Sequence, residues 1–223
     1  CAMNTNTSGA NNTAVGKDSL LANTTGVNNV AVGKDSLKTN TTASGNTAVG
    51  ESALEVTTTG CCNSALGNGA LQANTTGDNN TAVGQAALAF NTTADNNTAV
   101  GRLAMFCNTT GEQNTASGIN SLSSNTTGGI NVANGAYVLC ANTTGNDNTA
   151  IGGYSMKENT TGSTNVAMGR SSLRCNTTAS NNTAVGNAAL CLNTTGCENV
   201  AMGAKALDAN TTGHYNTAVG YDS

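Results

Sequence analysis

Few side chains in this sequence could do acid–base or nucleophilic chemistry. His214 is the single histidine, and aspartates and glutamates occur singly rather than in recurring pairs. Catalysis needs several different groups held at one place, so His214 beside Tyr215 does not indicate a Ser-His-Asp or Cys-His site. No Ca²⁺-binding loop of the D-x-D-x-D-G kind occurs either. We therefore expect a protein that is not an enzyme and needs no cofactor.

The eight cysteines are better explained as scattered surface thiols than as a metal site. Cysteines that share a position in the repeat described below are at least three repeats apart, roughly 14 Å at the spacing of stacked strands, which is too far for a disulfide. Cys191 and Cys197 flank one N-T-T-G segment and form the candidate local disulfide. Cys1, Cys61 and Cys62 could instead bond to neighbouring chains. Zinc requires clustered ligands and is not expected.

Twelve N-T-T or N-T-S tripeptides are formal N-glycosylation sequons. A source with a eukaryotic secretory pathway would allow them to carry sugar, which would coat the protein with glycan. Because the tripeptides recur with the repeat, a structural Asn/Thr turn explains them equally well without sugar. The candidate glycosylation sites are Asn23, Asn40, Asn74, Asn91, Asn108, Asn125, Asn142, Asn159, Asn176, Asn193 and Asn210.

All of these residues lie in a strict tandem repeat. The consensus is N-T-A-V-G-x-x-A/S-L-x-x-N-T-T-G-x-x, and its first glycine, called position 0, recurs thirteen times at intervals of 17 residues. Position −4 is always Asn, position −2 always Ala, position +4 Leu or Met, and position +8 always Thr. Position +7 is Asn except at Thr57. The glycines are Gly16, Gly33, Gly50, Gly67, Gly84, Gly101, Gly118, Gly135, Gly152, Gly169, Gly186, Gly203 and Gly220.

The charged residues follow the same frame. All 20 of them lie at positions +1, +2, +5, +6, +11 and +12, so these six positions are predicted to face water. Only 9% of residues are charged and 3% aromatic, and the net charge is −4, so any core is thin and no basic patch attracts nucleic acid. No apolar run approaches the roughly 18 residues of a membrane span, so membrane insertion is not expected.

The repeat predicts an all-β fold. Seventeen residues are too few for the helix pairs of α-solenoids, whereas N-T-A-V-G alternates with the period of a strand. We predict one β-solenoid of about 13 coils with two short strands per coil, in which Gly and Asn at positions 0, +7 and +10 supply the turn conformations. It would occupy 1–223 as one continuous domain without distinct caps. The start at Cys1, without Met or a signal peptide, predicts a processed chain or an excerpt of a longer array.

The sequence allows either face of the first strand to point outward. Invariant Asn, Ala and Gly at −4, −2 and 0 fit a narrow interior, which would turn positions −3 and −1 outward. The opposite orientation, with Thr and Val inside, is the alternative. The outward Thr/Val face would comprise Thr13, Val15, Val30, Val32, Thr47, Val49, Thr81, Val83, Thr98, Val100, Thr149, Thr183, Val185, Thr217 and Val219.

The unit N-N-T-A-V-G-x-x-A-L-x-x-N-T-T-G resembles, over the whole chain, repeats in tail-fibre proteins of phages and in related bacterial and algal-virus surface proteins. More distantly, N-T-A-V-G is similar to the N-S-V-A-I-G repeat of YadA-type adhesin heads, a left-handed β-roll whose period is 14 rather than 17. The resemblance implies an extracellular shaft or adhesive rod, located outside the cell or on a virion or cell surface. It implies no catalytic residues.

Two functions fit the sequence. The first is a structural rod, a fibre shaft, adhesin stalk or filament subunit, that self-associates head to tail or side by side and meets glycans or a cell surface. The second is ice binding through a flat face of small Thr and Val groups. A second candidate face for ice is formed by the paired threonines at +8 and +9: Thr24, Thr25, Thr41, Thr42, Thr75, Thr76, Thr92, Thr93, Thr109 and Thr110.

Overall fold

The computed structural model describes residues 2–223, in two compact units, Cys1–Glu112 and Gln113–Ser223. In the described residues every regular element is a three-residue strand. The first unit contains β1 (Thr13–Val15), β2 (Val30–Val32), β3 (Thr47–Val49), β4 (Ser64–Leu66), β5 (Thr81–Val83) and β6 (Thr98–Val100). The second contains β7 (Thr115–Ser117), β8 (Val132–Asn134), β9 (Thr149–Ile151), β10 (Val166–Met168), β11 (Thr183–Val185), β12 (Val200–Met202) and β13 (Thr217–Val219).

Within each unit, strands that follow one another in the sequence pair in parallel and in register. Ala14 lies opposite Ala31 in the first unit, and Ala167 opposite Ala184 in the second. Each pairing is offset by one repeat, so every residue is stacked on its own counterpart. The chain is therefore an all-β protein whose two units are parallel β-solenoids, as the sequence predicted.

Each coil has one strand rather than the two that the sequence predicted. At N-T-T, which the sequence pattern predicted to be a turn, the amides of Thr24 and Thr25 both donate to the carbonyl of Thr41 in the next coil, at 2.9 and 3.2 Å. The same convergence recurs at Thr126 and Thr127, which donate to Thr143. Coil-to-coil hydrogen bonding thus continues through this segment, but two donors share one acceptor and no regular strand results.

The interior is filled by small side chains and one leucine or methionine per coil. The alanines at −2 are buried from Ala31 to Ala201, as are the alanines and serines at +3 from Ser19 to Ala206 and the leucines at +4 from Leu20 to Leu190. The prediction that Asn at −4 and Ala at −2 point inward is confirmed, and the opposite orientation is wrong, whereas the glycines at position 0 are half-buried or exposed. All charged side chains are at least partly exposed, so the six predicted charged positions do face water.

Of the three predicted turn positions, position 0 adopts a turn conformation and positions +7 and +10 do not. Glycines at position 0 have φ between 113° and 142°, and a Cβ on Gly67 would lie 2.7 Å from the carbonyl carbon of Gly84, so only glycine fits there. Asn23 at +7 and Gly26 at +10 do not adopt positive φ. Instead, left-handed conformations occur at +2, +4 and +12, including the buried Leu54 with φ of 52°. Such a conformation costs roughly 1–2 kcal/mol in a residue with a Cβ.

Candidate functional site

The predicted Thr/Val face lies on the outside of the strands. Its side chains are exposed or half-buried, and three larger residues interrupt its regularity: Leu66 is 51% exposed, Met168 42% and Met202 45%. Asn134 adds a polar interruption in β8. The face is therefore accessible along each unit but uneven, because neighbouring coils present side chains of different length at position −1.

The paired threonines do not form one surface. Threonines at +8 are half-buried in most coils, and their Oγ1 donates to the carbonyl of the +8 threonine in the next coil, at 2.9–3.3 Å. Thr24 and Thr41 are one such pair, at 3.0 Å. Threonines at +9, such as Thr25 and Thr42, are exposed. In the second candidate face, only the threonines at +9 present their hydroxyls to solvent. They form a single file with one residue per coil.

The asparagines of the sequons form a buried column, here called the second asparagine column. Asn159 is typical of its members: its Nδ2 donates to Oδ1 of Asn142 in the preceding coil at 2.8 Å and to the carbonyl of Gly162 at 3.0 Å. Its own Oδ1 accepts from Asn176 at 2.8 Å. These amides have no accessible surface between Asn23 and Asn193. The sequence motif thus reflects internal hydrogen bonding between coils.

A glycan at these asparagines would have to replace the bonds just described, since it is attached through Nδ2. The sugar would also start from a side chain that has no accessible surface in the folded coil. The structure therefore gives the Asn/Thr motif a structural role at each of these coils. The candidate glycosylation sites remain a sequence prediction that this geometry does not favour.

The asparagines at position −4 form the first asparagine column. Oδ1 of Asn148 accepts the backbone amide of Asn165 at 3.1 Å and its side-chain amide also at 3.1 Å, and Nδ2 of Asn148 donates to the carbonyl of Gly162. That carbonyl also accepts Nδ2 of Asn159 from the second column. The residue at +10 therefore joins the two columns, which explains why it lies in the interior without needing a positive φ.

The cysteines are free in the described residues, and Cys1 lies outside them. The predicted pairing of Cys191 with Cys197 is not formed. Sγ of Cys197 lies instead 3.5 Å from the carbonyl of Thr195, whereas Cys191 lies beside Cys175: the Cys175 amide donates to the Cys191 carbonyl at 3.0 Å. Position +6 of one coil neighbours position +5 of the next, a relation that equal repeat positions do not reveal.

The remaining reactive groups do not converge. His214 accepts the backbone amide of Cys197 through Nδ1 at 3.0 Å and has Tyr215 as its aromatic neighbour, with ring centroids 6.1 Å apart. Across residues 2–223, no three His, Cys, Asp or Glu side chains are grouped so that they could hold a metal ion. The part of the chain that the structure describes contains no helix long and apolar enough to cross a bilayer.

An open groove of about 450 Å³ lies on the first unit beside an aromatic pair. Phe90 and Phe106 pack edge to face there, with ring centroids 4.9 Å apart. The rest of the lining is mainly small aliphatic residues, and Asn68 and Gln72 are its only polar side chains. With no ionisable group in its lining, the groove offers apolar contact rather than acid–base chemistry.

Comparison with known proteins adds no family. No protein-family model matches the sequence, and no curated protein matches it. The class that the structure itself defines is a tandem-repeat β-solenoid with two internal asparagine columns.

Proposed function

We propose that the protein is a non-enzymatic structural component of an extracellular fibre, stalk or filament. The observation that carries the proposal is the repeated interface between coils. Asn142, Asn159 and Asn176 make the same bonds at successive levels. Because the surface above a coil matches the surface below it, a coil of one copy fits a coil of another in a head-to-tail contact.

The exterior supports the same proposal. The outward residues differ from coil to coil, as at Leu66, Asn134 and Met168, while the inward ones hardly change. A protein whose invariant residues serve stacking, and whose His, Cys, Asp and Glu side chains form no group of three among the described residues that could hold a metal, is suited to a mechanical role. The likeness of the repeat to phage-fibre and bacterial surface repeats supports placement outside the cell or on a virion or cell surface.

Electron microscopy and sizing of the purified protein test the assembly. We expect long fibrils or large oligomers, and a monodisperse 22.0 kDa species would overturn the proposal. The double variant Met168→Lys/Met202→Lys adds charge to the strand face without touching the coil interface. Fibrils that survive in this variant indicate head-to-tail growth, whereas their loss indicates side-by-side association through the strand face.

Ice binding is the second candidate, favoured by the file of exposed threonines at +9. At the preceding position, +8, Thr143 and Thr160 of adjacent coils are joined by a hydrogen bond, which fixes the spacing of the coils. The exposed Thr144 and Thr161 at +9 therefore recur at the rise of one coil, about 4.8 Å. Thermal hysteresis and ice-crystal shaping at micromolar protein test it. Lowered activity in Thr144→Lys/Thr161→Lys supports this candidate, and the absence of hysteresis in the native protein removes it.

A further inference from the structure

Two cysteines of the second unit lie on neighbouring coils with an arginine beside them. Cys175 occupies position +6 of its coil and Cys191 position +5 of the next, and the backbone amide of the first donates to the carbonyl of the second at 3.0 Å. Chains joined by such bonds run about 4.8 Å apart. Because the two cysteines are also offset by one position, about 3.3 Å along the chain, their Cα atoms lie roughly 6 Å apart, inside the range of about 4.4–6.8 Å that a disulfide spans.

An aromatic pair at the same two repeat positions shows where side chains point there. Phe90 at +6 and Phe106 at +5 of the next coil share the same amide-to-carbonyl bond, at 3.1 Å, and their rings are in direct contact. Side chains at these positions therefore converge on the outside of the solenoid. Cys175 and Cys191, both partly exposed, occupy the equivalent places.

Arg174 supplies a positive charge to the cysteine pair. Its Nη2 lies 3.8 Å from Sγ of Cys175. Burial raises the pKa of the Cys191 thiol, while the charge of Arg174 acts in the opposite direction and favours the thiolate. A neighbouring guanidinium is one of the features that distinguish reactive cysteines from inert buried ones.

We propose that Cys175 and Cys191 form a reversible disulfide between adjacent coils when the protein meets a low-molecular-mass disulfide. One cysteine thiolate attacks a sulfur of that disulfide and expels one small thiol, leaving a mixed disulfide on the protein. The second cysteine then attacks the protein sulfur and expels the second small thiol. The protein loses two hydrogen atoms, and the small disulfide is reduced to two thiols. The inference is independent of the proposed fibre role.

Differential alkylation of the full chain tests the pairing. The protein is incubated with oxidised glutathione, blocked with a light alkylating reagent, reduced, and then labelled with a heavy one. Trypsin releases residues 175–205 as one peptide that contains Cys175, Cys191 and Cys197, so fragment ions assign each label within the same molecule. We expect heavy label on Cys175 and Cys191 and light label on Cys197. Before reduction, the intact mass should be lower by two hydrogens and should show no glutathione adduct.

Several results would overturn the proposal. Heavy label on Cys191 and Cys197 with light Cys175 would assign the disulfide to the other pair. Light label throughout, or stable glutathione adducts on Cys175 and Cys191, would show that the two sulfurs do not meet. The variant Cys175→Ser should leave Cys191 as a free thiol or a glutathione adduct and should never produce the mass loss at this pair.

A designed pair provides the matched control. Ser124 and Cys140 occupy the same two positions, +6 and +5 of the next coil, with the amide of Ser124 donating to Cys140 at 3.1 Å. In the native protein Cys140 should keep the light label. In Ser124→Cys it should become heavy on oxidation, with loss of two further hydrogens. Failure of Ser124→Cys to couple would contradict the geometry on which the native pairing rests.

Discussion

Thr57 in the first unit and Asn159 in the second occupy the same repeat position, +7, but their side chains differ in hydrogen bonding. Asn159 takes part in three side-chain hydrogen bonds. At Thr57, Oγ1 is buried without a partner, and Oδ1 of Asn40 in the preceding coil is equally unpartnered. The substitution at one level thus leaves an orphaned atom at another. In a stacked column each side chain serves its neighbours, so a defect extends beyond its own coil.

The first asparagine column has no such defect, because position −4 is Asn in every repeat. There Oδ1 accepts a backbone amide as well as a side-chain amide, as Asn182 does from Asn199 at 3.0 and 3.1 Å. Replacing such a residue would orphan a main-chain donor. This difference in what depends on each oxygen fits the tolerance of Thr57 in one column and the absence of exceptions in the other.

The largest expected effect on stability comes from placing threonine, the residue found at position 57, at the intact level of Asn159. Asn159→Thr removes three side-chain hydrogen bonds and leaves Oδ1 of Asn142 buried without a donor. We expect a loss of about 3 kcal/mol in the free energy of unfolding, measured by urea titration. A matched change at the exposed Thr161→Ser should be nearly neutral. Equal effects of the two changes would mean that the column does not stabilise the stack.

Repairing the defect should have a somewhat smaller effect of opposite sign. In Thr57→Asn, the new Nδ2 can donate to Oδ1 of Asn40 and to the carbonyl of Gly60. Its Oδ1 can accept from Nδ2 of Asn74, which in the native column bonds only to the carbonyl of Gly77. We expect a gain of about 2 kcal/mol in the same titration. Thr57→Val is the control, since it removes the orphaned hydroxyl without serving Asn40. It should gain less than Thr57→Asn, and a larger gain would contradict the role of the amide bonds.

The smallest effect is expected at the charged exterior of the coils next to Thr57. Lys34 contacts Glu51 at 3.0 Å, and both of these side chains are about half exposed, at 54% and 53%; it also lies 3.5 Å from the less exposed Asp35. Exposed ion pairs of this kind contribute little to stability. Lys34→Gln should leave the urea midpoint unchanged within error. A shift comparable with that of Asn159→Thr would place the stabilising interactions outside the column and reverse the comparison.

The sequence was sufficient to predict the parallel solenoid, its coil length and the inward alanines, because a strict 17-residue period leaves few ways to stack. It was misleading on the turns. Leu54 in a left-handed conformation could not be foreseen, since leucine normally avoids it and only the stacking of identical coils compensates the strain. The glycine at +10 was read as a turn residue, although its carbonyl serves two asparagine side chains.

The candidate site was predicted less completely than the fold. Comparing equal positions identified the outward Thr/Val face, but it could not show that the +8 hydroxyls are used between coils. It also directed attention to Cys191 and Cys197 instead of Cys175. The diagonal relation between +6 and +5 is the same one-position offset by which the amide of Thr13 bonds to the carbonyl of Asn29, and it becomes visible only when the coils are paired in three dimensions. Propensity rules do not supply that offset.

The two asparagine columns also have a direction. In both, Nδ2 donates towards the coil that comes earlier in the sequence, as from Asn176 to Asn159 and from Asn182 to Asn165. The amide dipoles of each column therefore add rather than cancel, in the way that peptide dipoles add along an α-helix. In the bonds between asparagines of a column, one side of a coil offers side-chain oxygens to its neighbour and the other offers side-chain amide hydrogens. A further coil can extend such a column only in the same orientation, because a reversed coil would bring donors against donors.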